Sequence, residues 1–95
     1  MEKNFIIIND YINYSDIEPQ FIALLEENDL IHVYEVENER FLHSDELSDI
    51  EKYARMYYDL SINIEGIDVI HNLLDRINEM QEEMTVLRRR LLFLE

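Results

Sequence analysis

The apolar positions in the last third of the chain recur at alternating steps of three and four. Ile70, Leu73, Ile77, Met80, Met84, Leu87, Leu91 and Leu94 keep that spacing, which sets all eight on one narrow stripe of an α-helix. Neither Pro nor a second Gly follows Gly66, so the pattern predicts one helix of about thirty residues, roughly 45 Å long. A small domain cannot cover such a helix with its own residues. With Ile70 at an a position, Leu73, Met80, Leu87 and Leu94 fall at d, Arg76, Glu83 and Arg90 at g, and Leu74, Gln81 and Arg88 at e, so charges flank the seam. Ile67 and Leu74 widen the apolar face early on, and that half is expected to pack on its own domain. Ile77, Met80, Met84, Leu87, Leu91 and Leu94 are expected to form the interface of a homodimer.

Upstream the periodicity changes repeatedly. Phe5 to Ile8 suits a short strand or the start of a helix, and a short helix is expected from about Ile8 to Tyr14. Pro19 suits a first helical turn, so a second helix is expected from Pro19 to about Asn28, burying Phe21, Ile22, Leu24 and Leu25 and ending at Asn28-Asp29. Two short helices joined tightly read as a helix-turn-helix. Ile31 to Val36 and Arg40 to Leu42 read as a hairpin around Glu37-Asn38-Glu39. Ser44 is expected to cap a third helix carrying Leu47, Ile50, Tyr53, Ala54 and Tyr57, and Asn63 to cap the long one. The fold class that results is mostly α with a small β-hairpin, a winged helix-turn-helix over residues 1–62 followed by a dimerisation helix over 63–95.

Charge narrows the range of partners. The chain of 95 residues carries 22 Asp and Glu against 8 Lys and Arg, a formal −14. Residues 1–60 hold only Lys3, Arg40, Lys52 and Arg55 against fifteen acidic side chains, a net −11. Such a surface repels polyphosphate and anionic lipid and attracts a basic protein. The early apolar run Phe5 to Ile8 is too short for a signal peptide or membrane span, and a cytoplasmic protein is expected.

Little in the sequence supports catalysis. With no cysteine there is no thiolate metal site, disulfide or Cys nucleophile. His32, His43 and His71 have no metal-ligand spacing, and the single glycine, Gly66, excludes a glycine-rich phosphate loop. His43, Ser44 and Asp45 are neighbours at a helix start, where capping explains Ser44 better than nucleophilic chemistry does. No catalytic residue, metal or cofactor is expected. Most of Tyr11, Tyr14, Tyr34, Tyr53, Tyr57 and Tyr58 are expected in the core, with one or two anchoring an interface.

One segment carries a family resemblance. Arg55-Met56-Tyr57-Tyr58-Asp59-Leu60-Ser61-Ile62-Asn63-Ile64-Glu65-Gly66-Ile67, followed by Leu73-Leu74, Ile77 and Leu87-Arg88-Arg89-Arg90-Leu91, resembles the chaperone-modulator (CbpM-like) family, a MerR-like branch. The likeness spans nearly the whole chain and is strongest in the pattern Arg-x-x-x-Asp-Leu-x-Ile-x-x-x-Gly-Ile. It implies a dimer that binds the J-domain of a DnaJ-like (CbpA-type) co-chaperone and blocks its stimulation of a DnaK-type chaperone. This chain departs from the pattern in its acidic first sixty residues.

Two readings therefore compete: a chaperone modulator and a MerR-like DNA-binding transcriptional regulator, with an adaptor of other partners as a third. DNA readers present Lys and Arg to phosphate. Here the second helix offers Glu18, Gln20, Glu26 and Glu27, and the hairpin Glu35, Glu37 and Glu39 against Arg40 alone. The partner surface is expected on the helix stripe Glu65, Asp68, Asn72 and Asp75, with the face around Glu26, Glu27 and Asp29 as the alternative.

Overall fold

The computed structural model describes residues 4–94. Phe5–Ile7 forms strand β1 and Ile8–Tyr14 helix α1, followed by α2 at Pro19–Glu27, β2 at Tyr34–Val36 and β3 at Glu39–His43. A 3-10 turn at Ser44–Glu46 leads into α3 at Leu47–Ala54, a π-helical turn at Arg55–Asp59, and α4 at Ile64–Leu94. The fold is the expected one: mostly helical, a winged helix-turn-helix with a long C-terminal helix. The wing is larger than a hairpin, because β1 adds to β3 and makes an antiparallel sheet of order β1-β3-β2. Phe5 faces His43 and Ile7 faces Phe41 in the register. The segment from Phe5 thus divides into a strand and a helix, and the wing strand starts only at Tyr34, since Ile31 is buried in the core before it.

Backbone chemistry sets the element ends. Asp29 (φ 57°) takes the left-handed conformation after α2, and its N–H donates to Glu26 O while Leu30 N–H donates to Leu25 O, a Schellman closure made without glycine. Glu37 and Asn38 (φ 52° and 66°) form a two-residue turn whose handedness matches the strand twist. Glu39, expected in the turn, is in β3. The expected Ser44 cap of α3 is not made: Ser44 lies inside the 3-10 turn, which His43 caps with its Nδ1 accepting from the Asp45 N–H at 3.1 Å, and Glu46 precedes α3 without a side-chain cap. Asn63 caps α4 as expected, Oδ1 accepting from Gly66 N–H at 2.9 Å. A Cβ at Gly66 would lie 2.8 Å from Ile62 Cγ2 and 3.1 Å from that same Oδ1, so the cap and the chain's lone glycine belong together.

The core joins α1, α2, β3 and α3 to the first turns of α4. Phe21, Leu25, Leu42, Ile50 and Ile67 are fully buried, with Ile8, Ile17, Ile22, Tyr53 and Ile64 around them. Phe21 stacks against Tyr57 and Tyr58 at centroid separations of 4.9 and 5.4 Å, and Tyr58 donates to Glu18 at 3.2 Å, which holds the π turn against α2. Of the six tyrosines only Tyr53 is fully in the core. Tyr11 and Tyr57 are half-buried, Tyr34 and Tyr58 exposed, and Tyr14 almost wholly so. Leu74, expected to pack on the domain, is also exposed. At 1.5 Å per residue, α4 has left the globular part by then and runs free, giving the molecule a longest dimension of 58 Å.

Candidate functional site

Three surfaces follow from this arrangement. The first comprises α2 and the wing, where a winged helix protein meets DNA. Its one arginine, Arg40, pairs with Glu26 of α2. Strand alternation explains the contact: Arg40 and Leu42 share the sheet face that looks toward α2, and Leu42 is fully buried there. Once that cation is neutralised, Glu18, Glu27, Asp29, Glu35, Glu37 and Glu39 remain exposed, with no basic side chain among them. Of the residues expected to bind a partner here, Glu27 is exposed and Glu26 is engaged with the wing.

The second surface is the acidic stripe of α4. Glu65, Asn72 and Asp75 are exposed and Asp68 half-buried. Asp75 Oδ2 lies 3.5 Å from His71 Nε2, and His71 Nδ1 lies 2.9 Å from the Tyr53 hydroxyl. A ring whose Nε2–H faces Asp75 and whose Nδ1 accepts from Tyr53 satisfies both contacts. Burial raises the Tyr53 phenol to about 12, and Asp49, Asp75, Glu46 and Asp68 add to the shift in that order. Glu46 and Asp49, near the α3 start, thus act on the same hydroxyl as Asp68 and Asp75 of the stripe, a grouping that helical spacing along α4 gave no means of reading. Glu46 accepts from His32 N–H at 2.8 Å, linking the loop before the wing to the same region.

The third surface is the seam. Ile77, Met80, Met84, Leu87, Leu91 and Leu94 are all exposed, Leu87 by 55% and Leu91 by 64%. Val86, Leu92 and Phe93 are exposed as well, beyond what the three-and-four spacing selects. The helix is acidic in its middle, at Glu79, Glu82 and Glu83, and basic near its end, at Arg88, Arg89 and Arg90. Among the described residues no cluster of His and carboxylates is arranged to hold a metal ion, and no helix is long and apolar enough to cross a membrane.

Residues 6–89 match the family described as MerR HTH family regulatory protein. The chain belongs to that family. Compared with curated proteins and with solved structures, it matches none.

Proposed function

We propose that this MerR-family chain is a non-enzymatic chaperone modulator: a cytoplasmic homodimer that binds the J-domain of a DnaJ-like (CbpA-type) co-chaperone and inhibits its stimulation of a DnaK-type chaperone. The observation that carries the reading is the Glu26–Arg40 pair. It withdraws the one cation that the described residues place on the α2 and wing surface and leaves carboxylates where a DNA reader needs phosphate contacts. A surface of that sign suits a basic protein helix, and the segment from Arg55 to Ile67 supplies the family resemblance that names the partner class. The dimer rests on the seam from Ile77 to Leu94, which is apolar, exposed and too long for a monomer to bury. Antiparallel pairing would set the acidic middle of one α4 near the arginines ending the other, which favours that orientation.

Family membership favours a second reading, a MerR-like DNA-binding transcriptional regulator. One pair of assays separates the two. Under the modulator reading the protein forms a complex with a purified J-domain and lowers the ATPase rate of a DnaK-type chaperone stimulated by it, while duplex DNA is not bound even at low salt, where attraction to phosphate is greatest. Salt-sensitive binding to duplex DNA that is lost on shortening the wing, together with no J-domain complex, establishes the regulator instead.

A further inference from the structure

An antiparallel sheet that packs on a core with one face normally turns polar side chains outward with the other. This sheet does not. The register places Phe5, Ile7, Tyr34, Val36, Glu39, Phe41 and His43 on the face opposite Leu42 and Arg40. Five of these seven are apolar or aromatic. Phe41 is buried but stands apart from the main core cluster, paired in register with Ile7 and Tyr34. Phe5 meets Tyr34 edge-on at 5.2 Å and His43 at 5.1 Å. Tyr34 and Val36, 42% and 54% exposed, form the open part of this patch.

We infer that the outer face of the wing sheet is a docking site for a cationic amphipathic helix of a protein partner. Charge selects the sign of the occupant. Among the described residues the ionised side chain on this face is Glu39, with Glu37 in the adjoining turn and Asp45 just past β3, while the sheet's arginine projects from the other side into its pair with Glu26. Size selects a helix. Three strands span two spacings of about 4.8 Å, roughly 10 Å in all, which matches the diameter of one helix. Chemistry selects an amphipathic one, because Tyr34, Val36 and Phe5 offer aromatic and aliphatic anchor contacts inside an acidic rim. The inference rests on the reading that this chain acts by binding a protein. It adds the apolar anchor that the all-polar stripe on α4 lacks.

The test is a titration of the full chain, followed by amide resonances, with three synthetic helices: one with Leu on one face and Lys on the other, one with Glu in place of Lys, and one with Ser in place of Leu. The Leu/Lys helix is expected to perturb amides of β1, β2 and β3, and the substitutions Tyr34→Asp and Val36→Asp, made separately, are expected to weaken it about tenfold or more with thermal unfolding unchanged for Val36→Asp. Equal binding of the Lys/Ser helix, perturbation confined to α2 or α4, or undiminished affinity of the Val36→Asp protein overturns the inference. A J-domain serves as the second probe. Sheet-face binding of the Leu/Lys helix without any J-domain complex leaves this inference standing and removes the J-domain reading. A J-domain complex of unchanged affinity in both variants keeps that reading and overturns this one.

Discussion

The hydroxyl of Tyr53, on α3, lies 2.9 Å from Nδ1 of His71, on α4, and the two rings meet edge-on at 5.8 Å. Tyr53 is only 3% exposed, so this contact ties α4 to the edge of the core. It stands where the globular core ends and the free part of α4 begins. Among the described residues, α4 joins the winged domain through this side-chain hydrogen bond and the burial of Ile64 and Ile67.

Alkali is expected to weaken the fold through this phenol. The folded state holds the Tyr53 proton to about 12 while the unfolded chain releases it near 10, so the folded state binds more protons across that window. Stability is therefore fully present below pH 10 and falls as pH rises from 10 to 12, by on the order of 1 kcal/mol per pH unit from this group. Tyr53→Phe should cost about 1 kcal/mol at neutral pH and flatten the alkaline decline. Urea unfolding from pH 8 to 12 measures both, and an equally steep decline in the variant counts against the assignment.

Gly66→Ala sets two effects against each other. Alanine favours an open helix position over glycine by about 1 kcal/mol. Here the new methyl meets the branched Ile62 side chain at 2.8 Å and crowds the Asn63 cap oxygen at 3.1 Å, and losing a cap costs about 1 kcal/mol before any strain is counted. The expected outcome is net destabilisation with a frayed α4 start, read as a lowered melting temperature and faster amide exchange at Glu65 to Ile67.

Leu87→Asp with Leu91→Asp should convert a dimer to monomers without unfolding the small domain, since both side chains lie far beyond the last core contact at Ile67. Light scattering at tens of micromolar distinguishes the masses. A monomeric parent protein under the same conditions refutes the coiled-coil dimer.

Asp68→Lys with Asp75→Lys should slow association with a J-domain several-fold and reduce its salt dependence, because exposed rim charges act chiefly on the encounter rate. Dimer mass and helical content are expected to be unchanged. Association measured by surface plasmon resonance at two salt concentrations provides the check, and an unaltered rate moves the contact off the α4 stripe, to the face around Glu26, Glu27 and Asp29 or to the wing sheet.

Most element types could be read from sequence because they rest on local patterning. The three-and-four spacing gave the long helix, Pro19 the start of α2, Asn28-Asp29 its end and Asn63 the α4 cap, each a property of a few adjacent residues. The exposed seam was equally legible, since no other segment of the chain has an apolar stripe long enough to cover it. Local spacing could not say that Phe5–Ile7 would join the wing, because a strand needs a partner and β3 lies more than thirty residues downstream. The same pairing places Arg40 on the inner face against Glu26 and the aromatic side chains on the outer one. Likewise, a 3-10 turn capped by His43 intervenes before α3, and Tyr53 alone among the tyrosines is fully in the core, because packing of α3 against α4 decided which ring lost its water. Periodicity along one element fixes which residues share its face. Which of those faces are covered, and which carboxylates from separate elements end up adjacent, depends on long-range contacts that only the folded chain makes.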